Sequence, residues 1–382
     1  MRLLVVAMCD SVHTAGWLAQ FEGMDVEFVL YPSTPHRRVH ATIREMINKG
    51  GDRQVSIRRS DQLLALPLGV LDLFMGNRLR ARRLRHLLVS QHFDAVHLLE
   101  TQHAGYLFAR TVENGERYTP TALSLWGSDL NWFQHVNAHH PKLRSVLAVV
   151  DHMFIECSRD IATARRFGYT GSFSSPMPAS GGLSPDVTSE QGRFQALLPS
   201  KRKVVVVKGY TGFVGRARTA LRVLRKLEGE LRGYTIHFYS VSRLLHLELR
   251  RVARKGCLNV ISHRKKSLTH TEMLQLFGSA RISIAISASD GFPGSMREAA
   301  CVGAFPIESC GSCVTEWSDD GRGVMVVNPD DENEIQAAIT RALTDDELVN
   351  GAAIINRTLV NRVSRAQVAE MAFREYLHLT RR

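Results

Sequence analysis

Two carboxylates, Asp290 and Glu298, stand eight positions apart in a stretch rich in Gly, Pro and Ser. The apolar run at 282–286 before them is typical of a buried strand, and residues 296–302 are typical of a helix. A helix that begins near Ser295 offers unpaired N–H groups and the positive end of its dipole to a phosphate. Glu298, one turn inside, is then placed to accept hydrogen bonds from neighbouring hydroxyls of a sugar or a ribose. The spacing therefore favours a pocket for a phosphorylated sugar.

The same residues also allow a purely structural interpretation. Ser295 and Glu298 have the spacing of a capping box, in which the carboxylate turns back to the start of its own helix and binds no ligand. Asp290 followed by Gly291 is a common turn pair. The local spacing leaves both interpretations open.

The overall composition is that of a globular protein with an anionic partner. The chain has 382 residues, enough for two domains with proper cores, and its 49 Lys and Arg against 37 Asp and Glu give a net charge of +12. This balance favours a phosphorylated substrate, an anionic membrane surface or nucleic acid. The six cysteines are spread along the chain, which favours a reduced, cytoplasmic setting. We interpret the Cys310 and Cys313 pair as structural, because no second pair accompanies it.

Strand-like apolar runs alternate with helical segments along the chain, which predicts doubly wound α/β domains with parallel sheets. We expect a first domain at 1–175, a linker at 176–200 where Ser, Pro and Gly accumulate, and a second domain at 201–360. The run at 3–8 is too short for a signal peptide and is better explained as a first strand. No apolar stretch approaches the ~20 residues that cross a bilayer.

The segment from 289 to 329 resembles the donor-binding segment of retaining GT-B glycosyltransferases, in particular the nucleotide-sugar-dependent family 4. The match is an ordered series and not a single motif. One position departs from it: the first acid is usually Glu, and Asp290 is one methylene shorter. The matching residues are Asp290, Gly291, Phe292, Glu298, Ala299, Gly303, Pro306, Ile307, the turn at 311–316 with its trailing Glu316, the turn at 320–324, and Asn328 with Pro329.

The resemblance implies a fold and an activity. The fold is α/β of GT-B type, with two Rossmann-like doubly wound parallel-sheet domains facing a cleft and a C-terminal helix, residues 361–382, that packs back on the first domain. The activity is transfer of a hexosyl unit from a UDP- or GDP-linked sugar to a lipid-linked saccharide, polysaccharide or other glycan, with retention of anomeric configuration. No metal or further cofactor is expected, and the process would be polysaccharide biosynthesis.

On the donor side, the resemblance implies that Asp290 holds the sugar, Glu298 the ribose, and Lys208 with Arg216 the diphosphate. Arg264 lies in a basic loop that usually contacts the nucleobase, although such a run also suits a solvated surface. The remaining donor-side candidates are Gly209, Gly291, Phe292, Pro293, Gly294 and Ser295.

On the acceptor side, candidate residues follow two strands of the first domain, where open α/β sheets place ligands. They are Glu100, Trp126, Ser128 and Asp129. Trp126 replaces a His that is frequent in the family, so no general base is assigned. Asp129 also suits a helix cap. His13, after the first strand, is a candidate for contact with acceptor or donor phosphate, and ordinary loop structure is its alternative.

Residues 61–90 form a helical stretch with a basic side. Basic amphipathic helices lie on anionic lipid surfaces, which predicts a cytoplasmic protein peripheral to the inner face of a membrane. A solvated face on a helix packed against its own domain is the alternative. The arginines concerned are Arg78, Arg80, Arg82, Arg83 and Arg85.

Two other functions compete with glycosyl transfer. A nucleotide-sugar epimerase can share the architecture and would alter its donor without an acceptor. A basic protein with an inactive cleft would bind a membrane surface or nucleic acid. The main hypothesis expects a nucleotide sugar and a glycan or lipid-linked acceptor as partners, and no specific nucleic acid.

Overall fold

The chain divides into two α/β units. The structure, a computed structural model, describes residues 1–49, 54–112, 119–194 and 197–381, without the side chain of Leu73. The first unit consists of Met1–Gly182 together with Arg365–Arg382, and the second of Leu183–Ser364. No helix among the described residues has the length and apolar character needed to span a membrane.

The first unit contains a seven-stranded parallel sheet in the order β3-β2-β1-β4-β5-β6-β7. Alternate residues of each central strand enter two different apolar cores, one on each face, which explains why the strand β1 is apolar without alternation. The strands are β1 Arg2–Ala7, β2 Glu27–Pro32, β3 Val55–Ile57, β4 Ala95–Leu99, β5 Thr121–Ser124, β6 His152–Phe154 and β7 Ser172–Phe173. The helices are α1 Val12–Ala19, α2 Ala41–Asn48, α3 Arg59–Met75, α4 Arg78–Ser90, α5 Tyr106–Thr111, α6 His140–Leu147 and α7 Arg159–Arg166.

The second unit contains a six-stranded parallel sheet in the order β10-β9-β8-β11-β12-β13. The strands are β8 Val204–Lys208, β9 Thr235–Val241, β10 Val260–Arg264, β11 Ile282–Ala285, β12 Phe305–Ser309 and β13 Met325–Val327. The helices are α8 Pro185–Phe194, α9 Ala217–Lys226, α10 Arg243–Arg254, α11 His270–Ser279, α12 Gly294–Cys301, α13 Glu332–Thr344, α14 Asp346–Arg357 and α15 Leu359–Val363. The last helix of the chain, α16 Arg365–Thr380, returns to the first unit.

Several predicted boundaries differ from the structure. The segment 176–200, predicted as a linker, contains α8, which packs against α11 and begins with a proline at the position where proline suits a helix. The stretch 61–90 is two helices, because Gly76 and Asn77 both adopt left-handed backbone conformations between them. The C-terminal stretch, predicted as one helix, is broken where Ser364 is extended.

Helix α16 is fixed to the first sheet by a buried tyrosine. Tyr376 is fully buried, and its hydroxyl accepts a hydrogen bond from Trp17 Nε1 at 3.0 Å. The same hydroxyl is hydrogen-bonded to His97 Nδ1. Burial lowers the pKa of His97 to about 3, so this imidazole is neutral in the folded protein. The hydroxyl thus satisfies two ring nitrogens inside an apolar core.

Replacing Tyr376 by Phe is expected to destabilise the first unit by about 1–3 kcal/mol, because it leaves Trp17 and His97 without their buried partner. Denaturant unfolding followed by tryptophan fluorescence measures this. Tyr234→Phe is the matched control, since Tyr234 is also buried but its hydroxyl bonds to none of the described residues. Equal midpoints for the two variants would contradict the role given to Tyr376.

Candidate functional site

A polar row crosses the second sheet at the carboxyl ends of its strands. Tyr239 on β9 is in register with Lys208 on β8, and Ala285 on β11 is in register with Glu308 on β12. The pairing of Ile284 with Val207 places Ala285 beside Lys208 as well. Register partners point to the same face of a sheet, and two strand spacings are about 10 Å. Only the methyl group of Ala285 therefore separates the side chains of Lys208 and Glu308.

The row lies on the face of the sheet that α11 and α12 cover. The neighbouring residues Val207, Ile284 and Ile307 point to the opposite face, where they join the main apolar core of the unit. On the side of the row, the ring of Tyr239 packs edge-on against Phe277 of α11, with centroids 5.6 Å apart. Helix α12 contacts β11 and β12. The polar row is thus enclosed beneath these two helices.

Lys208 and Asp290 form an ion pair at this edge. Lys208 Nζ lies 3.0 Å from Asp290 Oδ2, and only 13% of the lysine side chain is exposed. Burial opposes the charge of Lys208, but Asp290, Tyr239 and Glu308 outweigh that effect and raise its pKa. The site therefore contains a buried ammonium group that stays charged at neutral pH.

Glu308 is a buried carboxyl group that sequence analysis missed. It is 2% exposed, and its Oε1 has no hydrogen-bond partner among the described residues. Burial raises the pKa of Glu308 well above its ordinary value, and the opposing effect of Lys208 does not cancel this. Burial therefore favours the protonated, neutral form of Glu308. The available signal was an acid at the end of an otherwise apolar strand.

The helix start beside this row differs from the capping-box alternative. Pro293 is the N-cap of α12 and Gly294 its first residue, so Ser295 already lies inside the helix. Its hydroxyl is beside that of Tyr239. Glu298 bonds to a residue of α11 and does not turn back to its own helix start. The structural alternative for Ser295 and Glu298 is therefore wrong.

The partner of Glu298 is His270, which sequence analysis did not single out. His270 Nε2 lies 2.9 Å from Glu298 Oε1, and its Nδ1 lies 3.7 Å from Asp186 Oδ2. The hydrogen bond to Glu298 is the largest effect on the pKa of His270 and raises it. Thr269 and Glu272 form a capping box, which places His270 at the first position of α11.

Two separate segments meet around Asp290. Its backbone N–H donates to Gly311 O at 2.9 Å, and the N–H of Cys313 donates to Gly291 O at 3.0 Å. A side chain at Gly311 would lie 2.5 Å from Ala288 O, so this approach requires glycine. The turn at 289–292 and the glycine turn of the sequence resemblance are thus held side by side.

Phe292 has a packing role in the same turn. It is 1% exposed and stacks on Trp317 with ring centroids 4.4 Å apart and planes within 4°. The guanidinium carbon of Arg297 lies over the Phe292 ring, 5.3 Å from its centroid. Phe292 was predicted to contact the donor, but its side chain is enclosed by protein, and what it does is hold the turn in place.

Arg216, Gly209 and Arg264 lie at the same edge of the sheet but not in the polar row. Arg216 Nε lies 2.8 Å from Asp330 Oδ1, in the loop between β13 and α13. Gly209 donates its N–H to Tyr239 O and extends the pairing of β8 with β9. Arg264 is exposed at the end of the edge strand β10. The structure therefore groups Lys208 with Asp290 and gives Arg216 a different carboxylate.

In the first unit, the predicted acceptor-side acids serve as caps. Glu100 is 2% exposed and accepts from the backbone N–H groups of His103 and Ala104. Asp129 accepts from the N–H groups of Thr101 at 2.8 Å and Trp126 at 3.1 Å. Burial, and then the nearby Glu100, raise the pKa of Asp129. Both carboxyls therefore fix the two loops that end β4 and β5.

His13 and Trp126 lie next to each other at this edge. His13 is exposed in the first turn of α1, where Ser11 caps the helix, and its ring centroid is 5.1 Å from that of Trp126. The carbonyl of Ser128 accepts from Trp132 N–H and starts the following turn. Within the described ranges, no group of three or more His, Cys, Asp or Glu side chains is placed to hold a metal ion.

Replacing Glu308 by Gln tests its burial. An unfolded glutamate releases its proton near pH 4.5, whereas folded Glu308 keeps it to higher pH. Over that interval the folded state binds more protons, so raising the pH destabilises the parent protein but not the variant. The unfolding midpoint of E308Q is therefore expected to exceed that of the parent at pH 8 and to approach it at about pH 4.5. Glu230→Gln, at an exposed turn, is the control, and a pH-independent difference for E308Q would refute the interpretation.

Comparison with known proteins identifies the fold. Neither family models nor curated proteins match the sequence. Among solved structures, Anabaena HepE in complex with UDP-glucose superposes with a TM-score of 0.68 and 11% identity, covering 98% of this chain and 99% of that chain. Sucrose-phosphate synthase from Thermosynechococcus elongatus superposes with a TM-score of 0.66 and 13% identity, covering 99% of each chain. The α,α-trehalose 6-phosphate synthase from Burkholderia multivorans superposes with a TM-score of 0.70 and 9% identity, covering 100% of this chain and 98% of that chain. This likeness confirms the predicted α/β fold of GT-B type, with two Rossmann-like parallel-sheet units.

Proposed function

We propose that this protein is a glycosyltransferase of the retaining, family-4-like kind, which moves a hexosyl unit from a nucleoside-diphosphate sugar to a glycan or lipid-linked acceptor. The observation that carries the proposal is the buried, charged Lys208 paired with Asp290 beside the start of α12. The resemblance of residues 289–329 to the donor segment of that family supports it. So does the fold shared with HepE, whose structure contains UDP-glucose.

The diphosphate of the donor would bind at Lys208 and at the first N–H groups of α12. Phosphate oxygens can replace Asp290 as the partner of the ammonium group, which frees the carboxylate for a sugar hydroxyl. With Glu308 neutral, Lys208 and Asp290 give the row no net charge. An ionised Glu308 would make it negative and repel a diphosphate. The neutral state of Glu308 is therefore part of the proposed site.

Catalysis in this proposal is stabilisation of the charge that develops on the leaving diphosphate. Fixed donors that face developing charge are usually the largest single contribution available to an enzyme. Lys208 and the helix N–H groups supply that charge without a metal ion, and Arg216 would add to it by exchanging Asp330 for a phosphate. We assign no further cofactor.

Glu298 would accept the ribose hydroxyls, and His270 would orient its carboxylate. The hydrogen bond to His270 occupies Oε1. Two acceptor oxygens allow a carboxylate to keep this partner while it binds a diol. Gly291, Pro293, Gly294 and Ser295 would line the path of the donor through backbone contacts, and Arg264 would approach the base.

The acceptor would bind at the loops of the first unit that carry His13, Trp126 and Ser128. An exposed imidazole beside an indole ring suits the apolar face of a sugar together with its hydroxyls. Glu100 and Asp129 would contribute by fixing those loops. We propose a cytoplasmic setting and a step in polysaccharide biosynthesis.

Replacing Glu298 by Ala is expected to weaken donor binding or turnover at least about tenfold, since a hydrogen bond to a charged group contributes roughly 1.5–3 kcal/mol. The melting temperature should change little, because the side chain is partly exposed. Calorimetric titration with UDP and GDP, and assays with their sugars, measure this. H270A is the control that removes only the partner of Glu298. A large loss of stability with donor affinity intact would contradict the proposal.

Replacing Lys208 by Met is expected to abolish nucleoside-diphosphate binding, because the buried charge that faces the phosphates is lost. A thermal-shift panel of UDP- and GDP-linked sugars identifies the donor first, and calorimetry then compares parent and variant. Lys203→Met, at the other end of β8, is the matched control. Absence of binding by the parent protein at millimolar concentration would favour a binding protein with an inactive site. Conversion of the donor without any acceptor would favour an epimerase.

A further inference from the structure

Helix α3 presents its apolar side to solvent. The exposed residues follow the three- and four-residue spacing of one helix face, and Phe74 is 89% exposed. This is the opposite of what an amphipathic helix of a globular domain normally does. The residues of this outward face are Leu63, Leu66, Val70, Leu71 and Phe74.

The inward side of α3 carries acids and small residues. Asp61 is 3% exposed and accepts from Arg83 Nε at 2.5 Å. Asp72 is equally buried and accepts from the N–H groups of Leu79 and Arg80 at 2.8 and 3.0 Å. A side chain at Gly69 would overlap Pro35, with 1.9 Å to its Cβ.

These inward contacts fix the rotation of α3 about its axis. Turning the helix to hide its leucines would break the buried ion pairs of Asp61 and Asp72 and leave charged groups without partners. The apolar face is therefore held outward by the rest of the unit. A contiguous apolar face of this kind on a soluble protein marks an interaction site.

Three exposed arginines flank the apolar residues of α3 along the chain. Arg59 begins α3, and Arg78 and Arg82 lie in the first turns of α4; all three are exposed and make no ion pair with any described residue. The nearby acids that could neutralise them, Asp61 and Asp72, are already buried and engaged. The outward face of α3 is thus apolar, and cationic side chains lie next to it.

A cavity of about 420 Å³ adjoins this margin, between α3 and α4. It combines aliphatic walls with basic side chains, as a phospholipid headgroup and the first part of its acyl chain would require. Its lining residues are Arg58, Leu64, Leu68, Leu79, Arg82, Arg83 and His86.

The lipid contact predicted from the sequence involved the five arginines of residues 78–85, and two of these are engaged inside the unit. Arg80 is buried, where it donates to Ser33 O at 2.7 Å and pairs with Asp72. Arg83 is paired with Asp61. These two arginines hold α3 in its orientation, with its apolar face outward.

We propose that the outward face of α3 lies on the surface of a bilayer that contains anionic phospholipid. Phe74, Leu71 and their neighbours would enter the boundary between headgroups and acyl chains, with α3 parallel to the surface. Arg59, Arg78 and Arg82 would bind the phosphates, since long basic side chains place their charge in the headgroup layer while their stems stay on apolar surface. The proposal does not depend on the glycosyl-transfer activity.

Cosedimentation of the full chain with vesicles tests it. Vesicles of equal parts phosphatidylcholine and phosphatidylglycerol should bind the protein, and vesicles of phosphatidylcholine alone should bind it at least about tenfold more weakly. V70S/F74S should lose about tenfold or more in binding to the anionic vesicles. R78Q/R82Q should bind more weakly and with a smaller dependence on salt. Leu244→Ser, which removes a 70% exposed leucine from α10 of the second unit, is the matched control and should bind as the parent does.

Three outcomes would overturn the proposal. The parent protein could fail to bind either kind of vesicle, or V70S/F74S could bind as well as the parent. Gel filtration could instead show that the parent self-associates through this face while V70S/F74S is monomeric and neither binds vesicles, which would assign the face to a second copy of the chain. Circular dichroism and thermal unfolding of each variant establish that its folding is intact.

Discussion

The ion pair between Lys208 and Asp290 is the interaction on which the geometry of the second unit depends at the carboxyl ends of its strands. A lysine at the end of a central parallel strand is covered by helices and needs a carboxylate nearby. Asp290 supplies it from the turn after β11, at 3.0 Å. Backbone hydrogen bonds to Gly311 and Cys313 hold this turn in place. The stacking of Phe292 on Trp317 fixes it further. Contacts from the ends of three neighbouring strands, β8, β11 and β12, thus place the helix start at Pro293 beside a charged lysine.

Much of the fold could be predicted from the chain alone, because its signals are local. A run such as residues 204–207, in which every residue is apolar, indicates a central parallel strand buried on both faces. The structure has β8 there. The capping box at Thr269 is a spacing rule and is present. At Ser295 the same spacing occurs without a capping box, since Pro293 is the N-cap of that helix. Local signals say that a helix starts nearby, but they do not decide which of several adjacent residues caps it.

The parts of the site that sequence analysis missed depend on register between distant strands. Glu308 belongs to the polar row because it is in register with Ala285, which lies beside Lys208 on the neighbouring strand. Shifting β12 by one residue would send Glu308 to the other face of the sheet. His270 matters because α11 packs beside α12, which no spacing within either helix predicts. The orientation of α3 could not be predicted for a related reason. Its apolar residues show that one face differs from the other, but only the partners of Asp61 and Asp72 show which face is buried.

The shorter first acid of the donor segment fits the geometry around Lys208. Asp290 uses one carboxylate oxygen for Lys208 and the other for the N–H of Gly291, which directly follows it. A hydrogen bond to the next residue's N–H closes a small ring that suits the aspartate side chain and less well the longer glutamate. The missing methylene therefore keeps the carboxylate within the turn, over the polar row. In a site where burial favours the neutral form of Glu308, Asp290 is then the negative charge that balances Lys208. In the proposed function, its position decides where a diphosphate would replace it.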